Sequence, residues 1–125
     1  MADSAAARAL GADGPFALGV EGFAPREVQQ EMAAAVEQAI AHGDELVVEA
    51  GTGTGKTFAY LVPALLSGQR VIVSTGTKTL QDQLFHRDLP RVRETLGARL
   101  KSALLKGRAN YLCWYRLDQT VKEGT

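Results

Sequence analysis

The stretch LVVEAGTGTGKT, Leu46 to Thr57, decides how the rest of the sequence is read. Leu46-Val47-Val48 is a short apolar run of strand length, suited to a strand buried on both faces. Gly51 to Gly55 follows as a loop, and Lys56 opens a helix that runs to about Ser67. The loop fits the phosphate-binding pattern G-x-x-x-x-G-K-[ST], with Ala50 at the first glycine position. Glycines let successive backbone N–H groups turn inward around an anion, in conformations that a side chain resists. The helix that follows directs its positive end at the same anion. Ala50, Gly51, Thr52, Gly53, Thr54, Gly55, Lys56 and Thr57 are therefore the expected contacts of a nucleotide triphosphate. Lys56 is expected to reach its terminal phosphates and the Thr57 hydroxyl to ligate Mg²⁺, which makes these two the catalytic candidates.

Working outward, Pro25 signposts the start of a helix. Val28, Met32, Ala35, Val36, Ala39 and Ile40 then recur at helical spacing, and Gly43 is placed to end it. Beyond the loop, Phe58, Leu61, Val62, Leu65 and Leu66 predict the apolar face of the second helix, with Pro63 inside it and Gly68 after it. Val71-Ile72-Val73 predicts a second buried strand, Thr77 to about Phe85 a further helix, and Arg91 to Leu96 a short one stopped by Gly97. Ser102 to Leu105 is a third strand candidate and Trp114 to Val121 a last helix. Alternating strands and helices imply a parallel sheet with helices on its faces, an α/β fold. Residues 1–22, rich in Ala and Gly without a sustained period, predict a mobile N-terminal tail. Residues 23–125 form the expected ordered unit.

The formal charge is zero but unevenly spread. Residues 1–68 carry nine acids against three bases, a net of −6, and residues 69–125 carry eleven bases against five acids, a net of +6. The basic second half suits an anionic partner. With one cysteine, Cys113, no intrachain disulfide forms, and a reducing, cytoplasmic compartment is the natural expectation. The first ten residues contain no apolar stretch of signal-peptide length. No run approaches the roughly 18 apolar residues of a membrane span.

Four stretches narrow the reading: GFAPREVQQEM (Gly22–Met32), VEAGTGTGKT (Val48–Thr57), VIVSTGTKTLQDQL (Val71–Leu84) and LLKGRANYLC (Leu104–Cys113). Together they resemble the XPD/DinG-type DNA helicases, the iron–sulfur branch of helicase superfamily 2, over about residues 10–120. The resemblance implies a P-loop NTPase with a RecA-like parallel sheet, present as the N-terminal part of the first ATP-binding lobe and ending where the iron–sulfur region starts. It implies ATP and Mg²⁺ as cofactors and single-stranded DNA as partner, with a monomer as the expected state of the whole enzyme. Arg26 and Gln29 look like the family's adenine-recognising motif; an amide offers a donor and an acceptor side by side, which matches the adenine edge. Thr75, Thr77 and Lys78 look like the motif that grips the DNA backbone, and Lys106 and Arg108 are further backbone candidates. Cys113 matches the first of four cysteines that hold a [4Fe–4S] cluster in this family. The other three are not in this sequence, so the cluster is expected only in a longer protein.

Two other readings stay open from the residues alone. One is a nucleotide- or DNA-binding module without catalysis; the other is a P-loop enzyme unrelated to DNA, such as a small-molecule kinase. Residues 58–125 contain no Asp-Asp or Asp-Glu pair after an apolar strand, which is where the Mg²⁺-binding and water-activating carboxylates of a helicase would stand. The sequence is accordingly expected to be the N-terminal piece of a longer helicase, inactive by itself.

Overall fold

The computed structural model describes residues 4–124 apart from Thr52 and Thr54. Its regular elements are helical: α1 (Ala5–Ala9), α2 (Pro15–Gly19), α3 (Glu27–His42), α4 (Lys56–Leu66), α5 (Lys78–Gln83), a π-helical turn (Leu84–Asp88), α6 (Leu89–Leu96), a 3₁₀ turn (Arg108–Asn110) and α7 (Trp114–Glu123). Helices α3 and α4 pack against each other most extensively, with α1 laid over both and α6 against α4. Ala33 and Ala59 are both fully buried at this centre. Two methyl groups allow the helix backbones to approach closely, and the larger side chains Phe16, Leu61, Val62, Leu84 and Val92 fill the space around them.

The line that α3 buries most deeply is offset from the one its apolar spacing predicts, although Met32 of that predicted face still packs against the core. Val28 is 56 % exposed, whereas Gln29 is 4 % exposed and Ala33 is fully buried. Gln29, Ala33 and Glu37 lie four apart on one face of the helix and do three different things. Gln29 turns to the phosphate loop, Ala33 admits α4, and Glu37 accepts a hydrogen bond from the Ala6 backbone N–H at 2.8 Å. The last contact places a carboxylate at the positive end of α1, where it is electrostatically favoured.

That contact also corrects the expectation of a mobile tail. Residues 4–20 form α1 and α2 and join the core: Leu10 and Phe16 are fully buried. The Ser4 side chain caps α1 by accepting from the Ala7 N–H at 3.0 Å. Composition failed here because only two large apolar residues are needed when they insert completely. Each such burial contributes about 1.5–3 kcal/mol, and Phe16 does so within an aromatic cluster, 5.8 Å from Phe23 and 5.4 Å from Phe58 between ring centroids. Gly14 makes the turn between α1 and α2 possible. A Cβ there would collide with the Ala9 and Arg8 carbonyl oxygens.

The segments expected as strands, Leu46–Val48, Val71–Val73 and Ser102–Leu105, are not paired into a sheet here: the described residues contain no hydrogen-bonded strand. Val47 and Ile72 are almost fully exposed, while Leu46, Val48, Val71 and Val73 are each a little over half covered. The period-two alternation is that of extended backbone with side chains pointing to opposite faces. In the first two segments one side is therefore more covered than the other. An apolar run records that a segment suits burial on both faces, but the burial itself requires neighbours that these residues do not provide.

The helical run after Val73 is longer than predicted. Lys78–Leu96 is continuous, because the π-helical turn joins α5 to α6 where the sequence suggested two separate helices. Leu84, Asp88 and Val92, four apart, are all buried. In an α-helix of 3.6 residues per turn a four-residue spacing gains angle at each step. The looser π winding turns less per residue and draws the stripe back toward the core.

Candidate nucleotide-binding groove

A groove of about 500 Å³ opens where the N-terminus of α3, the phosphate loop, the start of α4 and the π-helical turn meet. Of the residues predicted to hold a nucleotide, it brings together Arg26, Gln29, Gly53, Gly55, Lys56 and Thr57. Ala50 and Gly51 precede the groove without lining it, and Thr52 and Thr54 lie outside the described residues. Lys56 is exposed at the first position of α4, where an anion can reach its side chain. Gly55 caps that helix in a left-handed conformation, φ +77°, which favours glycine because a Cβ would crowd the backbone.

A second constraint acts on Gly55. The Gln29 amide nitrogen donates to the Gly55 carbonyl oxygen at 3.1 Å, and a Cβ on Gly55 would strike the same amide. Gln29 thus ties the loop to α3 by its nitrogen. Its other end, Oε1, is buried without a hydrogen-bond partner. A buried acceptor left unsatisfied costs about 1–3 kcal/mol. Gln29 lines the groove, so this unsatisfied acceptor belongs to a residue of its wall.

Several lining residues were not singled out from the sequence. Phe23 and Phe58 bring an apolar wall continuous with the Phe16 cluster, and Arg87 and Asp88 arrive from the π-helical turn. Tyr60, one turn after Thr57, has its phenol pushed above the ordinary range. Burial is the main cause, a hydrogen bond with the Thr57 side chain opposes it, and the Asp88 carboxylate adds to it. The sequence carried one signal for Asp88: an acid at a four-residue spacing between Leu84 and Val92, where the stripe calls for an apolar residue.

The expected DNA contacts are placed separately. Thr75, Thr77 and Lys78 adjoin one another at the entry to α5. The Thr77 hydroxyl caps that helix, accepting from the Leu80 N–H at 3.1 Å, and Lys78 is exposed. Lys106 is half-buried and Arg108 exposed in the segment before α7, which is braced by the Tyr111 hydroxyl accepting from the Lys106 N–H at 3.0 Å. Cys113 is exposed at the start of α7. Among the described residues no three His, Cys, Asp or Glu side chains gather as a metal site, so the cysteine present does not fit a [4Fe–4S] cluster, which takes four thiolates. No described helix is long and apolar enough to cross a membrane.

Comparison with known proteins gives the family. Residues 26–122 match the family model described as DEAD/DEAH box helicase. The chain is 58 % identical over 112 residues to the ATP-dependent DNA helicase YoaA of Haemophilus influenzae, covering 90 % of the chain and 18 % of that relative. The Escherichia coli protein of the same name is 59 % identical over 112 residues, again covering 90 % of the chain and 18 % of the relative. The ATP-dependent helicase DinG of Mycobacterium tuberculosis is 50 % identical over 114 residues, covering 85 % of the chain and 17 % of the relative. The chain therefore spans less than a fifth of the length of these relatives. No solved structure matches it.

Proposed function

We infer the function from one premise: the chain belongs to the DEAD/DEAH box helicase family. In this reading the whole protein is an ATP-dependent DNA helicase acting on single-stranded DNA in the cytoplasm. Residues 23–125 then supply the nucleotide-binding side of its first motor lobe, with the helices of residues 4–20 packed onto it. Leu46–Val48, Val71–Val73 and Ser102–Leu105 are the strands of a RecA-like parallel sheet, and the alternating exposure of the first two supports that assignment.

One observation carries the proposal. Gln29 joins the phosphate loop by its donor and keeps a buried, unpartnered acceptor at the groove. ATP would place its base at Gln29 and its phosphates at the loop, with Lys56 drawing charge from the terminal phosphates and Thr57 offering a hydroxyl to Mg²⁺. Mg²⁺, when bound, neutralises the charge that builds on the phosphates. Every other task belongs to the chain's own side chains: Gln29 orients, Phe23 and Phe58 keep the groove wall apolar, and Arg26 and Lys56 attract the anion. Thr75, Thr77, Lys78, Lys106 and Arg108 hold the DNA backbone without reading bases.

Titrating the chain with ATP and Mg²⁺ tests the proposal. Binding is expected and is lost in Lys56→Ala; undiminished binding in that variant refutes it. Binding to single-stranded DNA is expected to weaken steeply as salt rises, and a flat dependence refutes the backbone contacts. A second reading, binding without hydrolysis by the chain itself, is favoured by Asp88, the one lining carboxylate among the described residues, being engaged by Arg87 rather than free to activate water. Phosphate release from ATP separates the two.

A further inference from the structure

The Leu84–Val92 stripe contains an anomaly. Asp88 is 8 % exposed on a face otherwise given to Leu84 and Val92, and aspartate is almost never buried unless paired. Its carboxylate accepts from Arg87 Nε at 3.2 Å, and the Arg87 side chain is 59 % exposed at the groove. A guanidinium has five N–H donors in a fixed fork. Holding Nε leaves the two Nη groups as donors, and Arg87 lines the same groove as Gly53, Lys56 and Thr57. Across the lining, Arg26, Lys56 and Arg87 stand against the single acid Asp88, a net of +2 that suits a polyanion.

We propose that Arg87, steadied at Nε by the buried carboxylate of Asp88, donates from its Nη groups to phosphate oxygens of the bound nucleotide. This rests on the nucleotide reading above. Arg87 is then a further binding residue, and Asp88 is a positioning residue that acts through it. The π-helical turn is what brings the pair to the groove: it carries Asp88 inward between two apolar neighbours and leaves Arg87 beside it at the rim. A pairing by chance on an exposed helix surface would need neither the buried acid nor the altered winding.

The test is a set of titrations of the whole chain with ATP and with adenosine, which shares the base and sugar but has no phosphate. Arg87→Ala is expected to weaken ATP binding about tenfold, the usual worth of a charge-assisted hydrogen bond, while adenosine binding stays unchanged. Arg87→Lys recovers part of the loss, since charge returns without the fork. Asp88→Asn weakens ATP binding in the presence of Arg87, and the double variant is no weaker than Arg87→Ala alone; a merely structural role would make the two losses add. Arg87→Ala leaves the buried Asp88 carboxylate without its partner, so the fold of each variant is checked by circular dichroism before titration, and Arg87→Lys, which keeps a cation beside Asp88, keeps the proposal testable if Arg87→Ala or Asp88→Asn folds poorly. Equal loss of ATP and adenosine in Arg87→Ala overturns the proposal. If Lys56→Ala abolishes ATP binding and Arg87→Ala does not alter it, this inference fails alone. If the unaltered chain binds no ATP, the nucleotide reading fails and this one with it.

Discussion

Replacing Gly55 by alanine is expected to uncouple the phosphate loop from α3. Two costs combine. A non-glycine residue at φ +77° carries about 1–2 kcal/mol of backbone strain. The added Cβ also meets the Gln29 amide, which is the end of a flexible side chain but cannot simply swing aside. Gln29 is 4 % exposed and already donates to the Gly55 oxygen. Moving it breaks that bond and leaves the amide nitrogen as unsatisfied as Oε1, at a further cost of about 1–3 kcal/mol. The expected loss is about 3 kcal/mol. Gly68→Ala is the control, because Gly68 has a similar φ of +69° and nothing within 4 Å of its would-be Cβ; it should cost only the backbone part. Urea denaturation of both variants, read as the shift in midpoint at constant slope, measures the difference. Gln29→Ala made in the Gly55→Ala background should recover some of the collision cost. If Gly55→Ala proves no worse than Gly68→Ala, the coupling between α3 and the phosphate loop is refuted.

Other outcomes follow from the same geometry. Gln29→Leu removes the buried unpartnered oxygen together with the amide donor, so stability should change by no more than about 1 kcal/mol, while preference for ATP over GTP falls; a competition titration with both nucleotides checks this. Phe16→Ala should cost about 3–5 kcal/mol, seen in thermal or urea unfolding, and a negligible cost would return residues 4–20 to the status of a tail. Tyr60 gives a signed pH dependence. Its phenol is raised in the folded chain, so the unfolded chain loses its proton first and stability falls as pH climbs through and beyond about 10. Tyr60→Phe should flatten that part of the profile. Lys122→Ala, which removes an exposed pair with Asp118 at 2.9 Å, should change stability by no more than about 0.5 kcal/mol.

What the sequence determined by itself was local chemistry. The phosphate loop was legible from spacing because glycines and a lysine at fixed offsets have few other uses. The bounds of α3 and α4 were legible from Pro25, Gly43 and Gly68, which act within a turn of where they stand. Gln29 and Arg26 were found only through the resemblance, since a polar residue on a helix carries no mark of which way it faces. The tertiary structure decided the rest. It placed Leu10 and Phe16 in the core, turned α3 onto Gln29 and Ala33, left Val47 and Ile72 open on one side, and carried Arg87 and Asp88 across more than thirty residues of chain to Lys56. The physical reason is common to all four: burial belongs to a pair of surfaces, and a linear pattern describes only one of them.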